Sequence, residues 1–183
     1  GNVVNPDDIV ADFGADAFRL YEMFMGPFVQ AIAWNTDGVV GTRRFLEKVW
    51  KLSQKTINKK QSTGSKEIES LLHQTIKKVT EDIEELKFNT AISSLMIFVN
   101  ALEKESEISE SVFETLLIVL APFAPHMTEE LWSQLGNKKS LFLAEWPQWN
   151  KKKIVIDTVK VPVQVNGKVR AILEVSATAD EKT

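Results

Sequence analysis

The chain has no cysteine and only two histidines among its 183 residues. Without cysteine it has neither disulfide bonds nor zinc sites with thiolate ligands. His73 and His126 show no metal-ligand spacing, and we expect each to be a hydrogen-bonded structural residue. The phosphate-loop and nucleophile motifs GxGxxG, Walker A and GxSxG are also absent, so the sequence predicts no catalytic residue and no metal site.

Long hydrophobic runs and an excess of positive charge are missing as well. The longest apolar stretches, SSLMIFV and TLLIVLAPFA, are too short to span a bilayer, and the first residues do not resemble a signal peptide. We therefore expect a cytoplasmic monomer without membrane contact. The formal net charge of −3 excludes RNA binding through bulk charge, so any RNA contact requires a local basic surface.

The sequence divides into three predicted regions: two capped helices in residues 1–34, a helical domain in 35–150, and a linker with a β-hairpin in 151–183. In the first region Asn5 is a suitable N-cap, Pro6 suits the first helical position, and Gly14 suits a left-handed C-cap. The fold class that follows is mainly α, an antiparallel helical bundle followed by a short hairpin.

Within the second region apolar residues recur every three or four positions, which predicts amphipathic helices. The expected helices cover approximately residues 37–55, 68–86, 89–102, 112–120 and 128–135. The third is expected to be capped by Asn89 or Thr90, and the last to end at Gly136. The fourth is apolar on almost every side, so we expect it at the centre of the bundle.

The third region changes to strict alternation of apolar and polar residues around Asn166 and Gly167, a strong hairpin signal. A two-residue turn would pair Val161 with Ile172 and mix the two faces. A three-residue loop pairs Val161 with Ala171 and keeps one face apolar, so this register is predicted. A lone hairpin of this kind is marginally stable in water, and we expect it to be the least stable part of the chain.

One group of side chains is a candidate for binding phosphate. Arg44, Lys48, Lys51 and Lys55 are spaced four, three and four residues apart, so they share one side of the first bundle helix. The alternative is a solvated lysine-rich helix face. A second basic candidate consists of the three lysines 151–153 before the hairpin, with Lys168 and Arg170 on the hairpin itself. The alternative for the three lysines is a solubilising tether.

Several motifs resemble those of one family. GNVVNPDDIV is similar to the run that follows the KMSKS loop of class I aminoacyl-tRNA synthetases, and LAPFAPHMTEELW is similar to a helix of their anticodon-binding domain. The segments YEMFMGP, RFLEKVWKL and VQVNGKVR resemble the leucyl-tRNA synthetases, of the bacterial or organellar type. Together these segments cover nearly the whole chain.

The resemblance implies a parent enzyme that uses ATP, with magnesium, to join leucine to leucine tRNA and that edits its product. The motifs for catalysis and editing would precede Gly1, so this stretch is expected to be non-catalytic and to need no cofactor. It would comprise the stem-contact helices, the anticodon-binding domain and the start of a truncated α/β C-terminal domain. Its expected role is to hold tRNA through the cationic residues above without an obvious aromatic platform for reading bases. The competing hypothesis is a free-standing helical module that binds protein.

Overall fold

The fold is taken from a computed structural model that describes residues 4–27, 29–57, 65–154, 158–165 and 168–176. The helices within these ranges are α1 (Pro6–Phe13), α2 (Ala15–Phe24), α3 (Thr36–Ser53), α4 (Lys66–Glu84), α5 (Phe88–Leu102), α6 (Glu110–Leu120), α7 (Pro125–Gln134) and α8 (Lys151–Ile154). The strands are β1 (Thr56–Ile57), β2 (Ile108–Ser109), β3 (Thr158–Val165) and β4 (Lys168–Ser176), and a 3₁₀ turn covers Leu141–Leu143. The predicted fold class, mainly helical with a C-terminal hairpin, is confirmed.

The two N-terminal helices begin and end where local chemistry predicts. The Asn5 Oδ1 atom accepts a hydrogen bond of 3.1 Å from the Asp7 amide, and Pro6 opens α1. Gly14 joins α1 directly to α2 with a φ of 89°. Its ψ of 151° lies outside the left-handed helical region, so the positive φ is confirmed but the left-handed cap geometry is not.

Helix α6 is buried in the core, as its apolar surface predicts. Phe113, Leu116 and Leu117 are completely buried there, and α4 and α7 pack against this helix. Ala17 and Leu20 of α2 belong to the same buried cluster. The N-terminal helices and the bundle therefore share one hydrophobic core, while the proposed division at residue 34 stays a prediction.

Two helix starts differ from the sequence prediction. Helix α5 begins at Phe88 without a side-chain cap, so the expected cap at Asn89 or Thr90 is wrong. Instead, the Thr90 hydroxyl donates a 2.6 Å hydrogen bond to the buried carboxylate of Asp82 on α4. Helix α7 begins at Pro125 rather than near residue 128, because proline suits the first helical position. The second predicted helix, 68–86, is too long at its end, because Leu86 lies beyond α4 with a φ of 57° and is 55% exposed.

A short parallel pairing joins the end of α3 to the start of α6. Thr56 of β1 pairs with Ile108 of β2, and Ile57 pairs with Ser109. The Ser109 hydroxyl then accepts a hydrogen bond from the Val112 amide and caps α6. Two residues per strand leave no visible alternation in the sequence, which explains why this pairing was not predicted.

The segment after the 3₁₀ turn runs back along α4. The Trp146 indole donates a 2.9 Å hydrogen bond to the Thr80 hydroxyl, and the Asn150 amide donates to His73 Nδ1 at 3.4 Å. Burial and, to a smaller extent, the Lys153 cation lower the pKa of His73 below its usual value, although Glu69 opposes them. A neutral imidazole can accept the Asn150 hydrogen bond, so His73 is structural, as expected.

The hairpin forms as expected, but its register differs from the prediction. Val161 pairs with Leu173 and Val165 pairs with Lys168, so the connection has two residues and the predicted three-residue loop is wrong. The register shifts after Val163, where one additional residue on β4, Arg170, has no partner on β3. This bulge gives Val159, Val161 and Val163 apolar partners, which a regular two-residue turn would not do.

The glycines Gly41 and Gly38 of α3 form a matched pair for testing the packing. A β-carbon at Gly41 would meet no atom within 4 Å, so we expect Gly41→Ala to raise the free energy of unfolding by about 0.5–1 kcal/mol through helix propensity alone. A β-carbon at Gly38 would lie 2.6 Å from the ring of buried Tyr21. Tyr21 cannot easily move, because its hydroxyl accepts a 2.7 Å hydrogen bond from Asn35 and its ring packs on Trp34. We therefore expect Gly38→Ala to lower stability by about 1 kcal/mol net.

Urea unfolding of the two variants checks this prediction. Equal effects at both positions would contradict the packing around Tyr21.

Candidate nucleic-acid interface

Helix α3 carries the row of cations that the sequence singled out, and its inner side is fixed by burial. Phe45, Val49 and Leu52 are buried in the core, which turns the cationic row toward the surface. Arg44 and Lys51 are exposed, and neither side chain makes a hydrogen bond or ion pair with another residue that the structure describes. Their charges are therefore available to an external anion.

The other two cations of the row are used inside the protein. Lys48 Nζ lies 2.7 Å from Glu103 Oε2 and 2.8 Å from Asn100 Oδ1. Lys55 Nζ donates to the backbone carbonyl oxygens of Glu103, at 2.7 Å, and Glu105, at 3.2 Å. Both lysines thus hold the C-terminal end of α5, where a cation is favoured by the helix dipole. The structure therefore divides the predicted row into two free and two engaged cations.

Arg43, on the neighbouring side of α3, links this helix to the N-terminal helices. Its Nη1 atom donates a 2.9 Å hydrogen bond to the carbonyl of Phe13, the last residue of α1. Its Nε atom lies 3.3 Å from Glu47 Oε1. Arg43 is therefore a structural contact that also neutralises the nearest acid on α3.

Asp16, which is buried at the start of α2, organises the beginning of α7. Its Oδ2 atom accepts a 2.7 Å hydrogen bond from the Met127 amide. Its Oδ1 atom accepts one of 3.3 Å from the His126 amide and lies 2.8 Å from His126 Nδ1. Helix α7 has no side-chain cap of its own, so Asp16 supplies one from 110 residues away. His126 is hydrogen-bonded, as expected, with its ring largely exposed.

These elements line an open cavity of about 350 Å³ beside Trp50. Trp50, Leu46 and Arg43 of α3 form one wall, while His126 and Met127 of α7 form another. The remaining boundary is the junction of α1 and α2 around Gly14. The cavity therefore has an aromatic and apolar lining on the side of α3 that adjoins Arg44 and Lys51.

The remaining predicted cations, Lys168 and Arg170, lie on β4 of the hairpin. Lys168 pairs with Val165 at the end of the ladder, and Arg170 occupies the bulge. In the part of the chain that the structure describes, no three His, Cys, Asp or Glu side chains are grouped so that they could bind a metal ion. Nor does any described helix combine the length and apolar character needed to cross a membrane.

Comparison with known families identifies the class of domain. The family model described as "Anticodon-binding domain of tRNA ligase" matches residues 65–183. The chain belongs to this family. The match begins at the N-cap of α4 and runs through the bundle and the hairpin.

Individual relatives extend the similarity of this anticodon-binding domain over its whole length. The chain is 49% identical over 183 residues to a leucine–tRNA ligase of Borrelia recurrentis (strain A1), covering 100% of this chain and 22% of that protein. It is 46% identical to a leucine–tRNA ligase of Alkaliphilus oremlandii (strain OhILAs), covering 99% of this chain and 23% of the relative. It therefore spans less than a quarter of the length of these curated relatives.

A solved structure of a related protein is similar to this chain in fold. The chain matches, with a TM-score of 0.78 and 32% identity, the protein in the ternary complex of Agrobacterium radiobacter K84 agnB2 LeuRS, tRNA and LeuAMS. The match covers 100% of this chain and 26% of that one. The similarity to leucyl-tRNA synthetases that the sequence motifs indicated is confirmed.

Sequence reasoning missed two features of this surface. Nothing local to Asp16 indicates that it caps α7, because its partners are remote in the sequence. Nothing local to Lys48 indicates an ion pair, because Glu103 lies on another helix. One signal for the remote cap was available in the sequence. No Ser, Thr, Asp or Asn precedes Pro125, and a helix start that lacks its own cap often receives one from elsewhere.

Proposed function

We propose that this chain is the part of a leucine–tRNA ligase that holds the body of leucine tRNA. The observation that carries the proposal is the 49% identity to such a ligase over all 183 residues. The free cations Arg44 and Lys51 support it, because exposed and unpaired guanidinium and ammonium groups are the usual contacts to RNA phosphates. The surrounding acids do not cancel these two charges, since Glu47 is paired with Arg43.

The whole protein, in this proposal, joins leucine to leucine tRNA at the expense of ATP, with magnesium, in the cytoplasm and as a monomer. This chain contributes the positioning of tRNA and no catalytic step, because the motifs for adenylate formation have no counterpart in its sequence. The cations of the hairpin, Lys168 and Arg170, are proposed as a second contact region. The alternative of a free-standing protein-binding module receives less support, because the similarity to ligases extends over the whole chain.

The first test of this proposal removes the free cations one at a time. Measured across a range of salt concentrations, the binding of leucine tRNA to the Arg44→Ala and Lys51→Ala variants should show a salt slope that is lower by about one for each residue. The reason is that each lost phosphate contact releases one counterion fewer. The salt slope of the double variant should be lower by about two.

Two control variants make the result specific. Lys138→Ala removes an exposed cation from the loop after α7, so its slope should equal that of the wild type. Lys48→Ala should lower stability rather than the slope, because Lys48 is already neutralised by Glu103. Unchanged affinity and slope in the Arg44 and Lys51 variants would assign these residues to solubility and contradict the proposed surface.

A further inference from the structure

The five tryptophans of the chain are used differently by the fold. The indole N–H groups of three of them donate hydrogen bonds within the protein: Trp34 to Thr36, Trp132 to Lys139 and Trp146 to Thr80. The ring of Trp149 contacts the Lys77 ammonium at 5.5 Å. Trp50 has neither kind of contact with the residues that the structure describes, and it is 40% exposed. Its ring is therefore an aromatic surface that the fold leaves unused.

The charges around Trp50 favour a nucleotide over other ligands. Residues advance by about 100° around an α-helix, so Lys51 lies about a quarter turn from Trp50, on the same side as Arg44. A phosphate at Lys51, the residue next to Trp50, would leave its base within reach of the Trp50 ring. Of the two carboxylates that line the cavity, Asp16 accepts hydrogen bonds from α7 and Glu47 is paired with Arg43.

The size and lining of the cavity fit the same ligand. Leu46 and Met127 give it an apolar interior, and its volume of about 350 Å³ lies in the range of small-molecule sites. Because Asp16 holds His126 at Nδ1, the Nε2 atom of this exposed ring is left for a polar group of the ligand. Unpaired bases that stack on aromatic side chains are the usual mode of single-stranded RNA recognition.

We propose that the cavity beside Trp50 takes one unstacked nucleotide of the bound RNA, with its base against the Trp50 ring and its backbone phosphate at Lys51. The proposal rests on the proposed tRNA-binding function and adds a base contact to it. It also supplies an aromatic platform that the sequence did not reveal, because the spacing of Trp50 from Leu46 places it on the apolar side of α3. One half-exposed residue in a helix does not stand out in the periodicity.

The test uses Trp50→Ala and Trp50→Phe in the whole chain, with leucine tRNA as the probe. We expect Trp50→Ala to weaken binding about 5- to 150-fold, because one base loses its stacking partner. The salt slope should stay unchanged, because no phosphate contact is removed. Trp50→Phe retains an aromatic ring and should bind within about threefold of the wild type. Phe142→Ala removes a 60% exposed aromatic side chain elsewhere and should have no effect on binding.

A second readout does not depend on affinity. In protein labelled with fluorotryptophan, the Trp50→Phe variant identifies the ¹⁹F resonance of Trp50. We expect this resonance to shift on addition of tRNA more than the other four.

Failure of the nucleotide site and failure of the tRNA-binding function give different results. If wild-type protein binds tRNA but Trp50→Ala binds equally well and the Trp50 resonance does not move, the nucleotide site is wrong and the tRNA-binding function stands. If wild-type protein does not bind tRNA, both are overturned.

Discussion

Replacing Phe113 with alanine is expected to lower the free energy of unfolding by about 3–5 kcal/mol. Phe113 is completely buried on α6, in the main hydrophobic cluster of the bundle. The substitution removes the apolar surface of the ring and leaves a cavity that neighbouring helices cannot fill without moving. The loss is comparable to the lower end of the total stability of a typical domain.

Urea unfolding measures this effect, with Phe142→Ala as the control. Phe142 is 60% exposed in the 3₁₀ turn, so its replacement should change stability by less than about 0.5 kcal/mol. The transition midpoint of Phe113→Ala should fall without a large change in slope. A loss below about 1 kcal/mol would contradict the burial of Phe113 in the core.

Asp16→Ala is expected to cost about 2–4 kcal/mol. The substitution removes the acceptor of the His126 and Met127 amides and leaves the first turn of α7 without a cap. It also removes a negative charge from the positive end of the α7 dipole. Since α7 forms one wall of the cavity beside Trp50, this substitution should loosen that wall as well.

Two variants separate the contributions at this position. Asp16→Asn retains a carbonyl oxygen that can accept one amide hydrogen bond, so its cost should be intermediate. Asp12→Ala removes an exposed carboxylate from α1 and should have little effect. Hydrogen exchange should show faster exchange in the first turn of α7 in Asp16→Ala than in Asp12→Ala. Equal exchange in both variants would contradict the capping role.

Local patterns were sufficient for much of the helical architecture. The spacing of apolar residues in the segment 112–120 predicted a buried central helix, and α6 is one. Asn5 and Pro6 predicted the first residue of α1, because capping depends on groups within three residues of the helix start. Short motifs also indicated the resemblance to leucyl-tRNA synthetases, and the comparison with relatives confirms it.

Local patterns failed for the register of the hairpin. Both registers considered from the sequence lacked the bulge at Arg170. An irregularity of one residue in the ladder leaves the alternation intact on either side of it, so the sequence does not show it.

The sequence determined one part of the candidate site, and the tertiary structure determined the other. The sequence by itself placed four cations on one side of α3, because helix geometry follows from a spacing of three and four residues. Only the tertiary structure decided that Lys48 and Lys55 bind groups at the end of α5, while the side chains of Arg44 and Lys51 remain free. The physical reason is that an ion pair depends on the distance between atoms in space, and packing α5 against α3 brings Glu103 to Lys48 from 55 residues away.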